Sequence, residues 1–288
     1  MKITHGRRKE SEVKAVKKNS QKSRDVSHER FKKYFIVSDV HSNWTALITP
    51  LKEAGYNAKN PDHILIIAGD LFDRGDDTIK IYKWIKKQPH VILIKGNHEY
   101  LLEKLIKRKY PYDADYLNGT INTLIEISKI SKNDSQDIFR SKSLKEVLEW
   151  IQTEFVDYVE FDNYIITHAG YPQVEDYHNA SIKEWDESTW VNPFITRRTI
   201  KPEKTLIAGH WGVSEVWSKK DEITNNYSDI PKNYQKIYQD PDLNVIGIDN
   251  TTIYTNRCLV YIIETDENPI LGLTRAEHLL KEHKLKEG

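Results

Sequence analysis

One cysteine and one methionine occur in the 288 residues of the chain. A lone Cys258 excludes an internal disulfide framework and any zinc or iron–sulfur site built from several thiolates of one chain. Long hydrophobic runs are missing too. Stretches such as Ile64 to Ala68 are strand length and too short to span a bilayer. The N-terminus is charged and lacks the apolar core of a secretory signal. Together these absences set the expectation of a reducing, cytoplasmic setting with no membrane partner. Net charge is absent as well, with 43 basic against 43 acidic side chains. That balance argues against a protein basic throughout and against an acidic solvating tail, but it conceals an asymmetry. Residues 1–33 hold twelve basic and four acidic side chains, so the remainder is acidic. Apolar residues reach only 38 %, yet 7 Trp, 16 Tyr and 7 Phe bring enough area per residue for a sizeable core.

Residues 1–30 contain six residues drawn from Ala, Val, Ile and Met and no aromatic. Such a stretch cannot bury enough apolar surface to offset its ordering entropy. Residues 1–33 therefore read as a basic, flexible leader, with contact to nucleic acid or another polyanion as its functional alternative. Residues 34–288 read as one α/β domain. Tyr34 to Val37, His63 to Ala68 and Val91 to Ile94 are short runs of β-formers, each followed by a helical pattern. Trp44, Leu47, Ile48 and Leu51 share one helical face, and Ile79, Tyr82 and Ile85 share another. This alternation predicts βαβ units and parallel strands. The charged stretch 100–155 is expected to be helical, a cap inserted over the strand ends. Strands are expected again at Tyr158 to Phe161, Tyr164 to Thr167, Thr205 to Ala208, Val245 to Ile248, Thr252 to Thr255 and Leu259 to Ile263. A long loop is expected between Asn225 and Asp242. A last helix from about Thr274 is expected to put Leu279 and Leu280 on its apolar side.

Ligands of open α/β sheets gather beyond the carboxyl ends of the strands. Five predicted strand ends here carry the same chemistry: Asp39 and His41, Asp70 and Asp73, Asn97 and His98, His168, and His210. The other seven histidines read as residues of the leader, loops or exposed helix faces. Asp-x-His alone is a common turn, and a single His after a strand is more often structural. Gly69-Asp-Leu-Phe-Asp-Arg-Gly75 fixes five positions, and Gly96-Asn-His-Glu99 follows at the next strand end, so the combination is specific. Two carboxylates, three imidazoles and one amide make a mixed nitrogen and oxygen site without thiolate. Such donors suit Mn, Fe, Zn or Co better than Mg alone. The set suffices for two ions. Asp70 is the natural bridge, Asp39 and His41 complete one ion, and Asn97, His168 and His210 complete the other. A pair of ions about 3.5–4 Å apart is the arrangement used for in-line attack on phosphorus. His98 would protonate the leaving oxygen with Asp73 holding its imidazole, and Arg74 would grip a phosphoryl oxygen.

At these residues the chain resembles the calcineurin-like metallophosphoesterases, and within them the phosphoprotein phosphatase branch. The family pattern of Gly-Asp-x-His-Gly, Gly-Asp-x-x-Asp-Arg-Gly, Gly-Asn-His-Glu, a later strand-end His and a Gly-His pair matches five places in this chain. These are Asp39-Val-His41, Gly69 to Gly75, Gly96 to Glu99, Thr167-His168-Ala-Gly170 and Gly209-His210. The resemblance spans about Tyr34 to Glu264. It implies a four-layer α/β/β/α sandwich around a dinuclear centre and the Asp73–His98 pairing; of the metals that suit the donors, Mn²⁺ is the one expected. The spellings Asp-Arg-Gly and Asn-His-Glu look closer to small bacterial and phage-type serine/threonine phosphatases than to symmetrical diadenosine tetraphosphatases. The expected function is thus a phosphomonoesterase acting on a phosphoprotein. A dinucleoside tetraphosphatase or a nucleotide or nucleic-acid-end phosphatase is the enzymatic alternative, and a polyanion-binding adaptor the non-enzymatic one.

The chain departs from the family at several points. Ser38 stands where Gly is usual, and Trp211-Gly212 replaces Thr-Pro after the last His. Asn192 stands where many relatives carry a second phosphate-gripping Arg, for which Arg197 or Arg198 is the candidate replacement.

Overall fold

The computed structural model describes residues 33–129, 138–196, 204–213 and 232–287. Residues 1–32 of the leader, Arg197 and Arg198, and 225–231 of the predicted loop lie outside the described residues; the rest of that predicted loop is not all loop, since Tyr238–Asp240 is a strand held antiparallel to Val245–Gly247. Strands follow in the order β1 (Lys33–Val37), β2 (His63–Ala68), β3 (Val91–Ile94), β4 (Phe155–Val156), β5 (Val159–Glu160) and β6 (Tyr164–Thr167). They continue with β7 (Thr205–Ala208), β8 (Tyr238–Asp240), β9 (Val245–Gly247), β10 (Tyr261–Glu264) and β11 (Ile270–Leu271). One sheet runs β10-β1-β2-β3-β4 and the other β11-β5-β6-β7-β9-β8. β1 to β4 are mutually parallel, as are β6, β7 and β9, while β10, β8, β5 and β11 pair antiparallel at the margins.

The period-2 alternation of side chains explains the layers. Phe35, Val37, Leu65, Ile67 and Leu93 point to one face of the first sheet, against Leu47, Leu51, Ile81, Leu102, Leu124, Val147 and Ile151 of the helices. Their neighbours Tyr34, Ile36, Ile64, Ile66, Ile92 and Ile94 point the other way and meet Val159, Ile166, Ile207 and Ile246 of the second sheet. The far face of that sheet, with Ile165, Leu206 and Val245, packs on Trp185 and Phe194 of the helices Ile182–Ser188 and Pro193–Thr196. The order is helix, sheet, sheet, helix, the four-layer α/β/β/α sandwich expected from the resemblance.

Several elements differ from expectation. Helices Asn97–Arg108, Thr120–Ser128 and Lys142–Glu154 bury Leu and Ile at helical spacing in the layer outside the first sheet. Within the 100–155 stretch, Leu117 lines the cavity at the strand ends, Thr120 and Thr123 hydrogen-bond to Asp73, and Glu103 pairs with Lys95 just after β3. Thr252–Thr255 is one helical turn and not a strand. Its β-branched run reads as a strand, but Thr251 and Asn256, both at φ 53, close the turn at either end. In the last helix, Arg275–Glu287, Leu279 is half exposed while Ala276 and His278 are buried. That helix docks through charge: His278 Nε2 lies 2.6 Å from Asp157 Oδ2, and Arg275 pairs with Asp186 and Glu103. His278 is therefore no exposed histidine.

Glu103 is the hub of this docking. It is buried beneath Lys95 at 3.1 Å and also pairs with Lys107. Burial alone would raise its carboxyl, but Lys95, Arg275 and Lys107 outweigh it and pull it down to about 2. A carboxylate depressed in the fold stabilises it fully above the unfolded pKa near 4.3 and loses that contribution as pH falls toward 2. Glu103→Ala leaves Lys95 and Arg275 with Asp186 as their one remaining shared anion among the described residues, so we expect a loss at the lower end of the usual range for a broken buried pair, about 3 kcal/mol. Urea melts at pH 7 and pH 3 check this; the gap between variant and parent should narrow at the lower pH.

Candidate metal centre

The strand ends deliver their polar residues through strained backbone. Among the described non-glycine residues, Asp39, His41, Asp70, Asp73, Arg74 and His210 all have φ between 48 and 71. Side chains rarely adopt this left-handed region, at a cost of about 1–3 kcal/mol each, and residues held there cluster at functional sites. Glu99 is one of the groups that hold the loops in place. Buried in the first turn of its helix, it accepts the N–H groups of Asp70 (3.0 Å), Leu71 (2.9 Å) and Gly96 (2.9 Å), tying the loops after β2 and β3 together. Close approach is bounded by glycine. A Cβ at Gly209 would lie 2.2 Å from Asp39 Oδ2, and one at Gly69, itself at φ 80, would lie 2.3 Å from His168 Nδ1.

The nine residues singled out in the sequence come to one end of the two sheets, and Asp70 is shared by two groups of donors. With His41 and His98 it forms one set, and with His168 and His210 another, the donor atoms of each set lying within 4.8 Å of one another. Asp39 lines the cavity beside them, and its Oδ2 accepts the His210 backbone N–H at 3.0 Å. His168 donates from Nδ1 to Ala68 O at 3.0 Å, which fixes its tautomer and leaves the Nε2 lone pair facing inward. His41 is held likewise by Nδ1 to Phe72 O at 3.3 Å.

Asn97 tests whether these residues fit a cation. The end of its amide that faces the site lies 2.8 Å from His168 Nε2, 3.1 Å from His210 Nδ1 and 3.2 Å from both Asp70 oxygens. Without a cation an NH₂ turned inward would have only two hydrogens to share among these four acceptors. With the oxygen inward, four residues aim lone pairs at one point, as a metal requires. Arg74 Nη1, 3.0 Å from His41 Nε2, is a cation already drawn to the neighbouring lone pair. Titration favours the same conclusion. Burial, then the charge of Asp249, pushes Asp39 well up; burial, then Asp39 and Glu99, does so for Asp70. Burial drives His41 and His168 well down and His210 down to about 4. Desolvated acids that repel one another beside neutral imidazoles form a site that positive charge completes.

His98 and Asp73 form a separate unit. His98 donates from Nδ1 to Asp73 Oδ2 at 2.8 Å, and Thr120 Oγ1 donates to the same oxygen at 2.6 Å. Asp73 is further fixed by its own N–H donating to Thr123 Oγ1 at 3.1 Å. The other ring nitrogen, His98 Nε2, is buried without a partner among the described residues and lies 3.8 Å from Asp70 Oδ2. It is aimed at the metal donors and away from solvent.

Sequence reasoning missed four groups here. Glu99 entered only as a letter of a motif, and nothing pointed to Thr120 and Thr123. Asp249, buried beside Asp39, follows β9 as Asp39 follows β1, so the strand-end rule would have found it; its carboxyl is raised to about 6 by burial. Asn192, standing where a second Arg was considered, caps a turn instead, accepting the Phe194 N–H at 2.9 Å. A cavity of about 460 Å³ opens beside the donors, lined by Asp39, His41, Asp70, Arg74, His210, Asp249 and Thr251 and also by the large apolar side chains of Leu117, Trp211, Ile253 and Tyr254.

The chain matches the calcineurin-like phosphoesterase family model over residues 32–247 and belongs to that family. It is 25 % identical over 146 residues to the asymmetrical bis(5'-nucleosyl)-tetraphosphatase PrpE of Bacillus subtilis, covering 48 % of this chain and 57 % of the relative. It is 26 % identical over 143 residues to a symmetrical bis(5'-nucleosyl)-tetraphosphatase of Wigglesworthia glossinidia brevipalpis, covering 48 % and 44 %. The matched stretch spans about half the length of these curated relatives. A crystal structure provisionally described as a diadenosine tetraphosphatase shares the fold, with a TM-score of 0.50 and 15 % identity over 84 % of this chain and 94 % of that one.

Proposed function

We propose that the chain is a dimetal-dependent phosphoester hydrolase. The observation that carries this is the meeting of lone pairs from Asp70, Asn97, His168 and His210 beside a buried, unpaired His98 Nε2. Asp39 and His41 would hold one ion, Asn97, His168 and His210 the other, and Asp70 both. Two divalent ions there supply the charge that activates water and steadies phosphoryl oxygens. Manganese suits the mixed nitrogen and oxygen donors, with Fe, Zn and Co as substitutes. Arg74 carries a planar fork at the cavity mouth and would hold a phosphoryl oxygen. His98 would pass a proton from Nε2 to the leaving oxygen while Asp73 keeps the ring in register. The lone buried Cys258 and the absence of a long apolar helix among the described residues support a cytoplasmic reading. The leader's charge supports contact with a polyanion outside the chemistry.

Two substrate classes have support. The spellings Asp-Arg-Gly and Asn-His-Glu favour a phosphoserine or phosphothreonine protein. The names of the curated relatives and the large apolar side chains in the cavity lining favour a dinucleoside polyphosphate, which we prefer. Under one Mn²⁺ concentration we expect p-nitrophenyl phosphate to turn over and kcat/KM for diadenosine tetraphosphate to exceed that for a phosphoserine peptide by at least about tenfold, the order of one good apolar contact. The reverse ratio would return the phosphoprotein reading, and turnover of none of the three would end the hydrolase proposal.

A further inference from the structure

The apolar side chains that line the cavity have no part in holding metal or phosphate. Leu117 is 87 % exposed, Ile253 41 % and Tyr254 56 %, and all three line the cavity with half-buried Trp211. Large apolar side chains left in water around a concave site mark a binding surface. These belong to two separate segments, the turn before Thr120 and the turn Thr252–Thr255, so no single helix face accounts for their exposure.

Tyr254 and Ile253 are also rigidly presented. Thr251 and Asn256 sit in the left-handed region at both ends of their turn. Asn43 Nδ2 donates to Asn256 Oδ1 at 2.7 Å, Asn250 Nδ2 donates to Arg257 O at 2.8 Å, and Cys258 N donates to Ala46 O at 2.9 Å. The turn is thus fastened to the start of the Trp44–Glu53 helix. Backbone strain held by this many bonds, on a turn whose tip is two exposed apolar side chains, fits a surface kept in shape for a ligand.

The geometry points to a nucleobase platform: Tyr254, which lines the cavity with Ile253 and Leu117, receives the base of a nucleotide whose phosphate lies against Arg74 and the metal donors. This rests on the hydrolase reading and gives its substrate class. The occupant follows from the mixed lining. Arg74 and the metal donors take an anion, the large apolar side chains take a flat apolar group, and 460 Å³ lies within the usual range for small-molecule sites. A nucleotide presents both groups on one rigid sugar. A phosphoserine peptide has only a short linker between phosphate and backbone, so it offers the apolar lining nothing fixed.

The test is calorimetric binding to the full chain loaded with Mn²⁺, using two non-hydrolysable probes, an adenosine 5'-phosphonate and the ribose 5-phosphonate that lacks the base. The adenosine probe should bind at least about tenfold tighter, as one base–aromatic stack contributes. Tyr254→Ala should bring the two affinities within about threefold, and Tyr254→Phe should keep the difference. Melting temperatures of both variants near the parent's certify folding, and Ile253→Ser gives a second, smaller loss should Tyr254→Ala be unstable. Equal affinity of the parent for both probes would overturn the platform, as would an unchanged ratio in Tyr254→Ala and Ile253→Ser. Tighter binding of a phosphonomethyl-phenylalanine peptide than of the adenosine probe would also overturn it, in favour of a phosphotyrosine partner. Turnover is measured separately. A base preference without turnover would sink only the hydrolase reading, and turnover without a base preference only the platform.

Discussion

His98→Asn should cut kcat for a phosphoserine peptide by about 10²–10⁴, the usual contribution of a positioned general acid, and should cut kcat for p-nitrophenyl phosphate far less. The difference arises in the leaving group. A serine alkoxide departs poorly without a proton, whereas p-nitrophenolate leaves readily on its own. The structure gives His98 the required arrangement, with Nδ1 committed to Asp73 at 2.8 Å and Nε2 directed toward the donors of the site. Asp73→Asn should give the same pattern more mildly, because the imidazole remains and only its orienting charge is lost. Thr120 Oγ1, which donates to the same Asp73 oxygen, should produce a still smaller effect when replaced by Val. The competing role for His98 is structural. Its backbone N–H donates to Asp70 Oδ1 at 3.0 Å and so helps set the loop that carries the shared carboxylate. If that were its whole role, both substrates would fall together and metal content would fall with them. Measuring kcat for both substrates and metal stoichiometry in each variant separates the two.

The placement of the nine site residues at one end of the sandwich was legible because each lies within a few residues of a strand end. Parallel strands in one sheet send those ends the same way. Nothing beyond βαβ alternation was needed for Asp39, Asp70 and Asn97, and the second sheet brought His168 and His210 to them because β6 and β7 run parallel. What was illegible depends on contacts far apart in sequence. Thr123 supports Asp73 across 50 positions, and Glu99 takes N–H groups from a loop 27 to 29 residues before it. Neither interaction leaves a periodic trace. The last helix was misread because its inward face is Ala276 and His278, and the helix is drawn in by ion pairs to Asp157, Asp186 and Glu103. The turn at Thr252–Thr255 defeated propensity: Thr-Thr-Ile-Tyr-Thr favours a strand, but Asn250 bonding across to Arg257 and tertiary hydrogen bonds from Asn43 to Asn256 and from Cys258 to Ala46 impose a single turn.

Asp70→Asn should separate stability from function in opposite directions. In the metal-free protein the Asp70 carboxyl is buried against Asp39 and Glu99 and is raised well above its ordinary range. A carboxyl raised in the fold costs stability once pH exceeds its unfolded value near 3.9, because the unfolded chain ionises it freely and the fold resists. The substitution removes that charge yet keeps an oxygen to accept the His98 N–H, so the metal-free variant should melt higher than the parent at pH 7. Added Mn²⁺ reverses the order. A ligand at a hundred times its dissociation constant stabilises the parent by about 2.7 kcal/mol. The variant, lacking the negative charge shared by both donor sets, should gain little. Turnover should fall by about 10³ or more, since the charge stabilisation at stake is several kcal/mol and each 1.36 kcal/mol is tenfold in rate. Melting curves with and without Mn²⁺, together with metal stoichiometry, provide the check independently of any substrate. A variant that binds two ions per chain and gains as much from Mn²⁺ as the parent would remove Asp70 from the centre of the site, and one that melts lower without metal would refute the electrostatic account of its burial.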